Sequence, residues 1–244
     1  MQIKIAVSSR RIIKYLALAV IFFTVISTGI QISKYVFNYR EDWMDLFNLD
    51  RELNFPTWYS ALTIVFCAIL LRIIALGKKQ QGDRYARDWQ LLSVIFFILA
   101  IDEIVSIHEI LIIPEVSEAL NLPWFLHSLW VIPGLVFVVW FARRFGKFVR
   151  HLPLKSRRQF ILAACIYIGG ALVMEMVGSH FAESIGQQHI LYAAIATVEE
   201  VLEMTGIIMF IYALLHYLSQ WTSTLDLQLN ILDPSPKHDR PHRL

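Results

Sequence analysis

The chain has 244 residues, of which 57% are hydrophobic and 17% are charged, and its mean hydropathy is +0.54. A soluble globular domain is about 45–50% apolar and about 25% charged, so this composition excludes a disordered chain and favours an integral membrane protein. Its two cysteines, Cys67 and Cys165, lie in separate apolar runs, which excludes a disulfide framework and a Cys-x-x-Cys metal knuckle. The net charge of only +2 predicts no nucleic-acid partner.

Six apolar stretches are long enough to cross a bilayer core about 30 Å thick as helices of roughly 20 residues. In chain order they cover residues 15–32, 58–76, 89–113, 124–141, 160–181 and 190–218. The first resembles a signal peptide, but apolar residues resume at Ile30 and Ile32, which favours a helix. The sequence therefore predicts an all-α, six-transmembrane helix bundle over residues 1–222. A short disordered cytoplasmic tail is predicted at residues 223–244.

Lys and Arg are divided unevenly between the predicted connections, and this division predicts the orientation. Eighteen of the 22 lie in the N-terminal segment, the second and fourth connections and the tail, whereas Lys34, Arg40 and Arg51 lie in the others. Both termini are therefore predicted to be cytoplasmic, in the cell (inner) membrane. The lipid bilayer is the expected partner, and a homo-oligomer is left open.

The functional signal is a set of acidic and histidine residues inside the predicted spans. They are Asp102, Glu103, His108 and Glu109 in span three, Glu175 and His180 in span five, and Glu199, Glu200 and Glu203 in span six. Each central charge costs at least about 2.5–3.5 kcal/mol to insert. The only basic residue within a span is Arg72, near the cytoplasmic end of span two. Bound cations, shared protons or a water-filled cavity must therefore offset the carboxylates.

At about 1.5 Å per residue, the carboxylates of the three spans fall in one slab between the midplane and the outer half of the membrane. Carboxylates and imidazoles on facing helices are how helix bundles build metal sites. The nine residues are therefore predicted as metal ligands for a divalent or transition metal ion. Iron, zinc, manganese and copper are not distinguished, because the paired Glu-x-x-His motifs of di-iron bundles are absent.

Simpler interpretations stay open for some of these residues and their neighbours. Glu175 alone could hydrogen-bond a neighbouring backbone, and Glu109 could be solvated near the outer surface. His127, beside two tryptophans, fits an interfacial position, and His189 fits a cap on span six. The acids of spans three and six are harder to explain by packing, because they cluster near the midplane.

Three short stretches carry a resemblance. They are Leu53-Asn54-Phe55-Pro56-Thr57-Trp58-Tyr59-Ser60-Ala61, then Asp102-Glu103 with His108-Glu109, and Glu199-Glu200 with Glu203-Met204-Thr205-Gly206. Together they resemble a group of uncharacterised bacterial multi-pass membrane proteins with DExxxxHE and EExxEM-type intramembrane motifs. The resemblance implies a similar helix count and brings no activity. Alkaline-ceramidase-like and CAAX-protease-like enzymes match poorly, because no span contains His-x-x-x-His and no Arg follows the Glu199-Glu200 pair.

These observations predict a metal-dependent membrane enzyme, oxidative or hydrolytic, that acts on a lipid-soluble or outer-face substrate. One alternative is a proton- or cation-coupled transporter that uses the same acids. Another is a structural subunit of a membrane complex.

Overall fold

The structure is a computed structural model that describes residues 8–111, 123–126 and 128–220, with the backbone alone for Glu109, Leu111 and Phe125. Within these ranges it contains helices and no strand. The six long helices are α1 (Ser9–Val36), α2 (Phe55–Gln80), α3 (Ala86–Val105), α4 (Val131–His151), α5 (Leu154–Ile185) and α6 (Ile190–Ser219). Shorter 3-10 turns occupy Asp42–Phe47, His108–Leu111 and Trp124–Leu126. The predicted tail at residues 223–244 lies outside the described residues.

Four of these helices, α1, α2, α5 and α6, are long and apolar enough to cross a membrane. The other two combine apolar stretches with more charge. Asp102 and Glu103 lie in the last turn of α3, and Arg143 and Arg144 lie within α4. The protein is thus all-helical with four candidate membrane-spanning helices, which makes it compatible with a lipid bilayer.

The third predicted span, residues 89–113, is wrong at its end, because α3 stops at Val105. Ser106 adopts a left-handed conformation (φ 52°, ψ 46°), and its amide donates to the Asp102 carbonyl at 2.7 Å. A left-handed residue ends an α-helix and satisfies one of its last carbonyls. Asp102 and Glu103 therefore lie in the final turn of α3 and not at the middle of a longer helix.

The fourth predicted span, residues 124–141, is displaced. Helix α4 begins at Val131 and continues to His151, while Trp124–Leu126 forms a separate 3-10 turn. The prediction placed Pro133 in the middle of a helix, where it would remove a hydrogen bond and clash, whereas the structure has it in the first turn, which tolerates proline. Basic side chains near the other end can extend toward water, so the helix continues past its apolar stretch.

Two local features position the site. Asn54 caps α2, because its side-chain oxygen accepts from the Thr57 amide at 3.0 Å. Helix α5 contains a π-helical turn at Gly169–Met174, immediately before Glu175. Such turns are rare and are frequent at functional sites.

The main core lies among α2, α3, α4, α5 and α6, on the side away from the acids. Trp89 of α3 is buried against three aromatic rings, with centroid distances of 4.8 Å to Phe148, 6.0 Å to Phe160 and 5.0 Å to Tyr217. An ion pair between Asp88 and an arginine of α4 supports the same end. These aromatic contacts hold α3, α4, α5 and α6 together at this end.

Candidate functional site

A cavity of about 1060 Å³ lies between α4 and the helices α3, α5 and α6. Seven of the nine predicted site residues line it: Asp102, Glu103, His108, Glu175, Glu199, Glu200 and Glu203. They come from three separate elements, as the sequence predicted. Among the described lining residues there are nine carboxyl groups and three arginines. Two of those arginines, Arg150 and Arg157, belong to the far ends of α4 and α5, so the acidic half has little positive charge from the protein.

The end of α3 supplies the first group of site residues. His108 lies in the 3-10 turn after the left-handed Ser106, and its Nδ1 donates to Asp102 Oδ2 at 3.0 Å. The turn folds the chain back, so that the imidazole reaches a carboxylate six residues earlier. The Ser60 hydroxyl of α2 lies beside the Glu103 carboxylate and interacts with it. The Asp102 and Glu103 carboxylates are therefore held in place by protein partners.

Glu52 also belongs to this site, although the sequence analysis did not predict it. Its Oε2 accepts from the Ser106 hydroxyl at 3.2 Å and from the Thr57 hydroxyl at 3.3 Å. Its signal in the sequence is its place two residues before the Asn54 cap, next to the Leu53–Ala61 stretch. That stretch serves the site directly, because Thr57 and Ser60 each bind one of its carboxylates.

A buried polar network holds the connection that carries Glu52. The Asn48 side chain is fully buried and accepts from the Gln31 amide of α1 at 2.5 Å. The Leu49 amide donates to the Ser27 hydroxyl at 3.0 Å, and Asn54 donates to the Asn48 carbonyl at 2.7 Å. These hydrogen bonds tie the connection to α1 and to the start of α2, although Gln31 Oε1 and Asn48 Nδ2 are buried without a partner among the described residues.

Asp50 lies in the same connection and lines the cavity. Burial raises the pKa of its carboxyl from 3.8 to about 6, and the opposing effects of Lys34 and Arg51 are smaller. The outer edge of the cavity therefore contains an acid that changes its charge in mildly acidic solution.

Helices α5 and α6 supply the second group. The carboxyl groups of Glu175 on α5 and Glu199 on α6 lie beside each other and interact. Glu175 therefore faces another acid where the two helices meet.

The close approach of α5 and α6 depends on glycine. A Cβ atom at Gly170 would lie 2.8 Å from the Glu199 carbonyl oxygen and 2.8 Å from Glu203 Cγ. A Cβ atom at Gly206 would lie 2.7 Å from the Tyr167 amide nitrogen. These two glycines let the helix backbones meet beside the carboxylates, as small residues do between membrane helices. Tyr167 consequently lines the cavity as well, which the sequence analysis did not predict.

Glu203 is the common neighbour of the site. Its carboxyl group interacts electrostatically with Glu52, Glu103, His108 and Glu175. These four residues come from the first connection, α3, the turn after α3, and α5. Glu203 itself lies on α6, so it links every segment that contributes to the cluster.

One described site residue from the sequence analysis, His180, is not among the residues that line the cavity. His180 is exposed and its ring lies against Trp124, with 4.9 Å between centroids. The side chain of Glu109 lies outside the described residues, as does His127. His189 caps α6 by accepting from the Leu191 amide at 3.1 Å, which confirms the simpler interpretation of that residue.

Within the described ranges, no group of three or more His, Cys, Asp or Glu side chains is arranged as a ready metal-binding site. The carboxylates line a cavity rather than converge on one point. The donors are also mostly oxygen atoms, with His108 as the one imidazole among the described lining residues. Carboxylate-rich sites suit magnesium, calcium, manganese and iron better than copper.

The model of a family described as "Domain of unknown function (DUF8692)" matches residues 13–218, which is most of the chain. No curated protein and no solved structure matches the chain.

Proposed function

Because the chain belongs to the DUF8692 family, whose description names no activity, we propose a function from the residues of its cavity: a metal-dependent membrane enzyme. The observation that carries the proposal is the cluster around Glu203, where acids from four segments face one cavity. Carboxylates that face the same cavity repel one another strongly in a low-dielectric interior. A bound divalent cation would remove that repulsion.

The donor set favours iron or manganese. Asp102, Glu103, Glu203 and His108 offer three carboxylates and one imidazole on three segments of the chain, which is the kind of set that binds these metals in helix bundles. A metal ion held there supplies either oxygen activation or a reactive bound water for hydrolysis. The residues around it bind the ion and leave open cavity on one side for a substrate.

The decisive experiment is elemental analysis of the protein purified in mild detergent, together with an absorption spectrum. We expect about one or two iron or manganese ions per chain. Glu203→Gln should lower metal affinity at least about tenfold, because the loss of even a supporting group costs about 10–100-fold. Glu41→Gln, which changes an exposed acid outside the cavity, serves as the control.

Two results would overturn this proposal. One is wild-type protein that binds no stoichiometric metal after incubation with iron(II) and manganese(II). The other is a Glu203→Gln variant that keeps the full metal content of the wild type.

The proposal includes a topology in which all six long helices cross the inner membrane and both termini are cytoplasmic. The division of Lys and Arg supports it. The charged ends of α3 and α4 are compatible with spanning, because α3 presents its acids to the cavity. A fluorescent protein fused after Ser219 should be bright, and alkaline phosphatase inserted after Asp50 should be active. An inactive phosphatase at that position would contradict the topology.

One observation favours a cation- or proton-coupled transporter as the second candidate. The π-helical turn at Gly169–Met174 interrupts α5 directly before Glu175, and transporters often build their ion sites at interrupted helices. Proteoliposomes with an internal pH dye distinguish the two functions. Proton flux that disappears in Glu203→Gln would support transport, whereas metal-dependent turnover without flux would support the enzyme.

A further inference from the structure

The cavity has two halves of different chemistry. The acids described above line one half. The other half is lined mainly by aromatic and aliphatic side chains, including seven phenylalanines: Phe96, Phe137, Phe141, Phe145, Phe148, Phe160 and Phe210. Arg150 and Arg157 line its far end. A long apolar stretch that leads to an acidic end matches the shape and polarity of an amphiphilic molecule.

Three helices place the halves in the same order. On α3 the lining residues run from Leu92 to Asp102, a distance of about 15 Å at 1.5 Å per residue. On α6, Phe210 lies about 10 Å beyond Glu203. On α5, Phe160 is at the apolar end and Glu175 at the acidic end. The apolar half of the cavity therefore extends about 10–20 Å along the helices from the carboxylates.

Helix α4 forms a wall one helix thick between this apolar half and the outside. Its lining residues recur every three or four positions, as in Gly134, Phe137 and Phe141, which is one helix face. The opposite face carries exposed apolar residues, among them Val136 and Val139. Both faces of α4 carry apolar residues. A hydrocarbon chain that moves from the bilayer past α4 into the cavity would therefore contact apolar side chains on both faces of this helix.

An apolar half that is empty or filled with water is physically unfavourable. Water in an apolar cavity lacks hydrogen-bond partners, and an empty cavity forfeits the dispersion contacts of its walls. A hydrocarbon chain would make dispersion contacts with the apolar lining residues, and a polar group at its end would reach the acids. We propose that the ligand of this cavity is a long-chain amphiphile whose chain occupies the phenylalanine-lined half and whose polar head lies at the carboxylates.

As a statement about the substrate, this inference rests on the proposed enzyme function, whereas binding of the chain does not require the metal. The test uses hexadecanol that carries a diazirine on its chain, with the full-length protein in nanodiscs. Light-induced labelling is mapped by mass spectrometry, with metal present and after chelation. We expect saturable labelling of the apolar lining, competed by unlabelled hexadecanol, under both conditions.

Ala164→Phe provides the variant, because Ala164 lines the apolar half and a larger side chain there fills part of it. Labelling should fall about tenfold, which corresponds to about 1.4 kcal/mol of binding free energy, because the larger side chain occupies the space of the hydrocarbon chain. Ala194→Phe is the matched control, since Ala194 is exposed and is not a lining residue. Unchanged thermal unfolding of Ala164→Phe shows that the fold is retained.

The outcomes separate the two proposals. Labelling that does not saturate and spreads equally over Val136 and Val139 would mean that only bulk lipid is detected, which overturns the inference. Equal labelling of the Ala164→Phe and Ala194→Phe variants would overturn it as well. Saturable labelling in a protein that binds no metal would support the amphiphile and contradict the metal-dependent enzyme. Bound metal without saturable labelling would support the metal site and contradict the amphiphile.

Discussion

Replacing Gly170 with alanine tests how closely α5 and α6 must approach to form the site. The new Cβ atom would lie 2.8 Å from the Glu199 carbonyl oxygen and 3.1 Å from the Glu203 amide nitrogen. Both are backbone atoms of a long helix, so neither can move as a flexible side chain does. Because ordinary Cβ contacts begin at 3.4 Å, the helices must separate by roughly 0.6 Å.

The expected change in unfolding free energy follows from a comparison with the neighbouring glycine, Gly169. A Cβ atom at Gly169 would meet nothing within 4 Å. Gly169→Ala should therefore stabilise the protein by up to about 1 kcal/mol through helix propensity alone. Gly170→Ala gains the same propensity term but also overpacks the interface, which costs about 1–3 kcal/mol. The difference between the two variants isolates the steric cost.

The assay is reversible unfolding in mixed detergent micelles, followed by tryptophan fluorescence. We expect Gly170→Ala to be less stable than Gly169→Ala by about 1–3 kcal/mol. The separation should also disturb the contact between the Glu175 and Glu199 carboxyl groups, so metal binding should weaken in the same variant. If the two variants differ by less than about 0.5 kcal/mol, the interface does not depend on this contact.

Three further predictions concern the edges of the site. Glu52→Ala should destabilise the protein by about 1.5–3 kcal/mol, because it removes a charged acceptor of two hydrogen bonds, whereas Glu41→Ala should change the unfolding free energy by less than about 0.5 kcal/mol. The pKa of Asp50 is raised in the folded state to about 6, so its contribution to stability is present below pH 4 and is lost as the pH rises through 6. The stability gain from Asp50→Asn should therefore grow between pH 4 and pH 7 in unfolding titrations, and a constant gain would contradict the assignment. A membrane-permeant maleimide should modify the exposed Cys165 and spare the buried Cys67 in the folded protein, as intact-mass measurement would record; modification of both thiols would refute this packing.

The helices were predictable where a long apolar run decides the structure. Spans two, five and six match α2, α5 and α6, because burial and lipid contact both favour one continuous helix. The end of α3 was not predictable in this way. Ile104, Val105 and Ile107 continue the apolar pattern, and only the left-handed Ser106 ends the helix. The hydrophobic pattern of a sequence does not report the backbone conformation of one residue.

The site could be predicted as far as its residues lie on helices. Glu199, Glu200 and Glu203 fall within one arc of α6, and all three line the cavity. Glu52 was missed because a connection has no period, and its position depends on the distant contacts of Asn48 and Asn54. His180 was predicted as a metal ligand on the same span as Glu175; its ring packs on Trp124, and it is not among the described lining residues.

The π-helical turn at Gly169–Met174 amounts to one inserted residue in an otherwise regular helix. One residue corresponds to about 100° of rotation, so the insertion sets the direction of Glu175 relative to Tyr167. A chain shorter by one residue here would form a regular α-helix, and Glu175 would turn away from Glu199. The pairing of these two acids therefore depends on the length of the segment as much as on the identity of its residues.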